Sequence, residues 1–354
     1  MTVAIDDERL LRAGDPSGML DAFASIGTAL ERSYGSARDG TVPPVRDARS
    51  VTFCAMGGSA AAGDLVAAAF AHRVGVPMLT HRGHDVPLSY GPNDVVVCVS
   101  YSGDTEETVS AHDSAVARGC PVVAVCGGGL LAERADASGT PVVPIPVDAP
   151  VPRAGLGTLV GGVVGTLVAA ELLASPDEDV ASAGATLASL ADELSPGVPA
   201  DRNEAKAVAA WVGDRVPVVW GSEGVSAPAA LRWKAAFNEN AEVPAFRGVL
   251  PELSHHEIVG WTRGHGSPFC LLVLREPGEH ATVPRRLEAT LAEVEGSGLR
   301  WREVWARGEE PLARGLSLAL VGDLAATYHA LSRGVDPAAM DALVRVKERL
   351  GRGT

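Results

Sequence analysis

The stretch SYSGDTEET, Ser100 to Thr108, sets alcohols, a glycine and carboxylates at the end of the apolar run VVVCV. Gly103 lets the backbone turn closely, and Ser100, Ser102 and Thr105 each offer a hydroxyl. The amides ahead of Glu106 lack partners because a helix begins there. Groups of these kinds together hold an anion without a basic surface. The same residues also suit an ordinary helix cap, with Thr105, Glu107 and Thr108 satisfying local amides. A second turn of similar chemistry, Gly57-Gly58-Ser59, precedes another helix in the same domain and can converge with the first on one ligand. Neither turn is a GxxxxGK[ST] loop or a GxGxxG fingerprint, which disfavours nucleotide binding.

Those turns need strands beneath them. A helix is predicted near Pro16 to Tyr34, then a strand around Ser50 to Cys54, with the turn AMGGSA opening an alanine-rich helix through Phe70. Short strands follow near Pro77 and Asp94. VVVCVS then gives way to a helical segment, and CPVVAVCGGG supplies a further buried strand. Continuous Val-rich runs separated by helices indicate a parallel sheet covered on both faces. The second half repeats the theme: RVPVVWG, PFCLLVL and LRWREVW read as strands, while SEGVSAPAALRWKAAF begins a helix and PRRLEATLAEVE forms another. VTFCAMGGSAAAGDLVAAAF and VPVVWGSEGVSAPAALRWKAAF share a strand, a Gly/Ser turn and a helix, so two related domains are expected. The fold class is α/β, two doubly wound parallel sheets flanked by helices. Residues 1–152 form the first domain with a leading helix, 153–200 a helical bridge and linker, and 201–354 the second domain with a C-terminal helix.

Composition excludes several function classes. A chain of 354 residues can bury more than one core. Its net charge of -14 disfavours general nucleic-acid binding, which needs clustered Lys and Arg. Cys54, Cys98, Cys120, Cys126 and Cys270 show no CxxC pair or zinc-like spacing and read as reduced core residues of a cytoplasmic protein. The start MTVAIDDERL is acidic and has no signal-peptide apolar region. The uncharged segment from Ala154 to Ala170 is shorter than the roughly 20 residues a membrane span requires, and is expected to be a buried helix.

In order, AMGGSAAAGD, VSYSGDTEET, PVPRAGLG, RWKAAFNENAEVPAF and PELSHHEIVGW resemble the motifs of the bifunctional phosphoglucose/phosphomannose isomerases of the sugar isomerase (SIS) domain family. The resemblance spans nearly the whole chain. It implies two SIS domains and a homodimer. The activity implied is reversible conversion of glucose 6-phosphate or mannose 6-phosphate to fructose 6-phosphate through a cis-enediolate, with no metal or cofactor. Phosphate binding falls to Gly58, Ser59, Ser100, Ser102 and Thr105. Glu239 matches the base, flanked by Asn238 and Asn240, each of which either orients a hydroxyl or caps a turn. His255 matches the ring-opening histidine, thought in relatives to reach the adjacent subunit's site, with His256 as a competing assignment. Arg153 is implied to stabilise the enediolate or hold the substrate, and Lys347 to reach substrate oxygens. The chain departs from the family's pattern at Ala236, Glu242, Ser254 and Ala338. Two alternatives stay open: an isomerase of another sugar phosphate, and a non-catalytic protein that binds one. No basic helix-turn-helix segment accompanies the motifs, which argues against a transcription factor.

Overall fold

The computed structural model describes residues 5–351, with Lys347 described by its backbone alone. Three helices open it, α1 (Glu8–Ala13), α2 (Met19–Ala24) and α3 (Ile26–Arg38), where the sequence suggested one helix from about Pro16. The break is local chemistry. The Asp15 carboxylate accepts the amides of Met19 and Leu20, both at 2.8 Å, and so starts α2 after the left-handed Gly18. At its other end the Ser25 hydroxyl donates to the Ala22 carbonyl, and α3 begins afresh.

The first sheet follows: β1 (Ser50–Cys54), α4 (Gly57–Phe70), β2 (Met78–His81), β3 (Asp94–Ser100), α5 (Glu106–Ala117), β4 (Val122–Cys126), α6 (Gly129–Ser138) and β5 (Val142–Pro144). Its strands are parallel in the order β2-β1-β3-β4-β5. Every residue of β1, β3 and β4 is buried, which is why these strands are unbroken apolar runs rather than alternating ones. The register pairs Cys54 with Cys98 and Ser100 with Cys126, so Ser100 stands at the carboxyl edge of a central strand. All five cysteines are free and buried.

A 3-10 turn, Pro152–Gly155, leads into the helices α7 (Leu156–Ala169), α8 (Asp177–Glu193) and α9 (Glu204–Val212). Helix α7 is the uncharged segment. Only together with the preceding 3-10 turn, as Pro152–Ala169, does it reach the length and composition of a membrane-crossing helix, and 83% of that 18-residue stretch is buried inside the protein, as a core helix is. Its glycines explain its composition: a Cβ on Gly157, Gly161 or Gly165 would stand 2.2, 2.3 or 2.6 Å from the carbonyl oxygens of Ile26, Leu30 and Tyr34. Spaced one helical turn apart, they let α3 press backbone against backbone.

The second sheet comprises β6 (Val216–Ser222), α10 (Ser226–Asn240), β7 (Phe246–Leu250), a 3-10 turn at Glu252–His255, α11 (Glu257–Trp261), β8 (Phe269–Arg275), α12 (Val283–Val294) and β9 (Arg300–Trp305). Its parallel order is β7-β6-β8-β9, matching that of the first four strands of the other sheet. The long α13 (Pro311–Ser332) is buried along nearly its whole length and packs on α4, α8, α9 and α10, so one apolar core runs from sheet to sheet. Helix α14 (Asp341–Arg349) closes the described chain. The sheets thus present two sets of strand ends, and α10 and α13 join them.

Candidate active site

The SYSGDTEET turn is pinned before any ligand arrives. Ser100 is fully buried; its Oγ accepts the Gly103 amide at 3.0 Å and shares a hydrogen bond with Thr105 Oγ1, also at 3.0 Å. Gly103 has a φ of 84°, and a Cβ there would lie 1.8 Å from the Gly128 carbonyl oxygen, so only glycine fits. The Gly103 carbonyl accepts the Leu131 amide and the Asp104 carboxylate accepts that of Leu130, both at 2.9 Å, tying the turn to α6. Thr105 is the N-cap residue of α5, yet its side chain makes no capping bond because Ser100 engages it. The ordinary-cap alternative is therefore not what the turn adopts, and α5 presents its first amides without a side-chain cap. Ser102, exposed at the tip, accepts the Asp104 amide at 3.2 Å.

The second turn joins the first directly. Ser59, on the opening turn of α4, accepts the Tyr101 amide on its Oγ at 3.2 Å. One residue earlier, Gly58 lies against a neighbouring segment: a Cβ there would be 3.4 Å from the Arg153 Cα and 3.7 Å from Arg232 Nη1. Arg153, in the 3-10 turn before α7, is only 4% exposed. Its Nε donates to Asn240 Oδ1 at 2.7 Å, and its Nη2 donates to the carbonyls of Pro337 at 2.7 Å and Ala339 at 3.3 Å. Burial lowers its pKa and the nearby Glu239 carboxylate opposes that.

Glu239 sits in the last turn of α10 with its side chain about one-third exposed, its Oε2 3.8 Å from Arg153 Nη1. That is an ion pair without a hydrogen bond, so the carboxylate keeps its lone pairs for another partner. It opens onto a cavity of about 640 Å³ whose wall includes Arg153, Asn238, Glu242, Met340 and Asp341. Asn238 donates to the Val243 carbonyl at 2.9 Å and secures the turn after α10, while Asn240 holds Arg153. Glu242, one of the departures, has a left-handed φ of 52° on the rim of the cavity. Ala338 belongs to the turn that feeds carbonyls to Arg153; its own amide donates to the Asp336 carboxylate at 2.9 Å. Backbone atoms make that grip, so it does not depend on the side chain at 338.

The remaining candidates lie apart. His255, exposed, ends the 3-10 turn after β7, makes no side-chain hydrogen bond or ion pair among the described residues, and is absent from the wall of the Glu239 cavity. His256 pairs with Glu252 at 3.4 Å. Ser254 Oγ lies 3.3 Å from Thr290 Oγ1. Lys347 is on α14, and its side chain falls outside the described residues. Among the described residues no group of three or more His, Cys, Asp or Glu side chains gathers as a metal would need. One feature escaped sequence reasoning: Arg232, inside the RWKAAFNENAEVPAF motif, forms a buried bidentate pair with Asp323, a partner 91 residues away. No spacing rule connects residues so far apart.

Comparison with known proteins fits this geometry. Residues 45–140 match a model of the SIS domain, and residues 201–350 match one described as the bacterial phospho-glucose isomerase C-terminal SIS domain. A bifunctional phosphoglucose/phosphomannose isomerase of Caldicellulosiruptor bescii is 28% identical over 94% of this chain and 98% of its own. One from Pyrobaculum calidifontis is 30% identical over 72% of this chain and 74% of its own. Among solved structures, the C-terminal domain of glucosamine-fructose-6-phosphate aminotransferase from Francisella tularensis shares the fold, with a TM-score of 0.67 at 15% identity over 92% of this chain and 99% of that one. The chain thus belongs to the bifunctional phosphoglucose/phosphomannose isomerase family and is a sugar-phosphate isomerase of two SIS-type sheets.

Proposed function

We propose that the protein interconverts glucose 6-phosphate or mannose 6-phosphate with fructose 6-phosphate. The observation that carries this reading is Glu239 standing beside the buried Arg153, whose Cα lies 3.4 Å from where a Cβ on Gly58 of the phosphate cradle would stand. A carboxylate, a fixed cation and an anion cradle then share one neighbourhood, as an aldose-ketose isomerase requires. The phosphate rests on the amides near Gly58 and at the start of α5, with the hydroxyls of Ser59, Ser100, Ser102 and Thr105 around it. With the sugar ring open, Glu239 takes the C2 proton of the aldose and the carbonyl electrons move onto O1, giving a cis-enediolate. The same carboxyl returns the proton to C1 as the carbonyl forms at C2, the hydroxyl proton of O2 passing to O1. Arg153 stabilises the charge on the enediolate oxygens, as a preorganised cation does in a site that excludes water. No metal takes part in these steps.

His255 is assigned the ring opening, suited to a side chain whose ordinary pKa is near neutral. Because it stands off the Glu239 cavity in its own chain, the reading includes a homodimer in which one protomer's His255 serves its partner's site. Lys347 is assigned to substrate oxygens. The domain division at 152 and 200, and a cytoplasmic location, belong to the same reading. The test supplies purified protein with glucose 6-phosphate and mannose 6-phosphate separately and follows fructose 6-phosphate. Glu239→Gln is expected to lower kcat by about 10²–10⁴-fold, the usual worth of a general base. Binding without turnover in the wild type would mark a sugar-phosphate sensor, and turnover of a different sugar phosphate alone would reassign the substrate.

A further inference from the structure

Arg153 has its side chain held by Asn240 and by the carbonyls of Pro337 and Ala339, but something must also fix its backbone. That something is Arg232. Its Nη2 donates to the Arg153 carbonyl at 2.5 Å. The Arg232 guanidinium is 2% exposed on α10 and is locked in turn by Asp323 of α13, Nε to Oδ1 at 2.8 Å and Nη2 to Oδ2 at 3.0 Å. Such a two-point carboxylate contact fixes the plane of a guanidinium as well as its position. The third nitrogen, Nη1, makes no hydrogen bond among the described residues and lies beside Gly58. One side chain therefore bonds the segment carrying Arg153 and stands 3.7 Å from where a Cβ on Gly58, in the turn assigned to the phosphate, would be, and it sits on the same helix as Glu239.

We propose that Arg232, locked by Asp323, is a positioning residue that sets the Arg153 guanidinium beside Glu239 and fixes its distance from the phosphate cradle. The inference rests on the roles given above to Glu239 and Arg153. A proton shuttle between adjacent carbons tolerates little error, since a displacement of about 1 Å costs about 10²-fold in rate. The pair's burial argues for such a role, because a buried ion pair is on average no more stabilising than apolar residues of similar volume. The positional alternative for the pair is a plain core bridge between α10 and α13, and kinetics separate the two.

The experiment uses the full-length protein with the better of the two hexose 6-phosphates. R232M and R232K are compared with wild type, with R153K, and with the double variant R153K/R232M. Because R232M strands a buried carboxylate, R232M/D323L is made as well; it removes both charges and is expected to fold with a Tm near wild type. Expected for R232M/D323L is a kcat lower by about 10²-fold with KM within about threefold, the split that marks loss of an arrangement needed in the transition state. In the R153K background, removing Arg232 is expected to add less than about threefold, because the group it positions is already gone. The inference is overturned if R153K is impaired while R232M/D323L turns over within about twofold of wild type, or if the two losses multiply. A wild type inert toward both hexose 6-phosphates fails at an earlier step, overturning the function itself and this inference with it.

Discussion

In the first sheet, the turn after β3 meets the start of α4, where the Tyr101 amide donates to Ser59 Oγ. In the second, the turn after β8 meets the start of α10, and the direction of the bond reverses. There the Ser226 amide donates to Glu276 Oε1 at 3.1 Å. The positions correspond: counted from the last paired residues, Cys98 with Cys54 and Val273 with Trp220, Ser100 and Tyr101 match Arg275 and Glu276. Gly224, with a φ of 99°, keeps the space open, since a Cβ would lie 2.7 Å from Glu276 Oε1. Arg275 is spoken for by Glu279 at 2.9 Å, by Glu303, and by the Trp305 ring 4.6 Å away. The same strand order thus yields a turn of alcohols and uncapped amides in one half and a turn filled by the chain's own carboxylate in the other. A repeated architecture need not repeat a candidate site; the residue just past the strand decides whether a helix amide is taken up by the chain's own carboxylate.

The comparison breaks most severely if a carboxylate is placed in the first turn. Ser102 accepts the Asp104 amide, a bond an aspartate also makes, so S102D keeps the turn and changes its charge. At about 5 Å and an effective dielectric of about 20, each unit of like charge repels by about 3 kcal/mol. KM for a hexose 6-phosphate is expected to rise about 10²-fold or more in S102D, with kcat changed far less. S102N, which preserves the same turn without charge, is expected near wild type. Equal KM values for S102D and S102N would move the phosphate away from this turn.

One side of this contrast, the Ser100 turn, is legible in the sequence, and for a physical reason. Strands buried on both faces leave unbroken apolar runs, so β1, β3, β4, β6 and β8 announce themselves, and the polar residues that end β3 mark the candidate site. The 3-residue β5 and the edge strand β7 carry little signal in the sequence: Phe246 and Arg247 are exposed, and only Val143 of β5 is buried. At the N-terminus periodicity implied one helix, and the Asp15 carboxylate overrode it. Motif likeness picked out Glu239 and Arg153, which the fold brings to 3.8 Å, but could not reveal that Asn240, Arg232 and Asp323 hold the arginine. Nor could it reveal Glu276, which belongs to none of the quoted motifs. Long-range polar partners are set by how helices dock, and a single sequence carries no periodic signature of that.

Glu276 offers the converse test, smaller in size. E276A removes the acceptor of the buried Ser226 amide, which costs about 1–3 kcal/mol, while kcat and KM are expected to stay at wild-type values because this turn has no part in the proposed substrate site. Urea denaturation beside steady-state kinetics checks both halves, and a KM that moves with E276A would give the second turn a part in binding. A finer question is whether the carboxylate acts there as a charge or as a hydrogen-bonding plug, and pH answers it. Burial pushes the Glu276 pKa up from 4.5, the amides of Ser226 and Val225 opposing. A carboxyl group whose folded pKa is raised binds its proton more tightly folded than unfolded, so its contribution to stability is full below the ordinary value and is lost as pH rises through the raised one. E276Q has no proton to lose. The stability of the wild type relative to E276Q should therefore fall as pH climbs from 4.5 and then level off once the folded carboxyl has ionised. A difference that rises instead would mean that the amides outweigh burial, making Glu276 a held anion in the sense that a phosphate would be at Ser100.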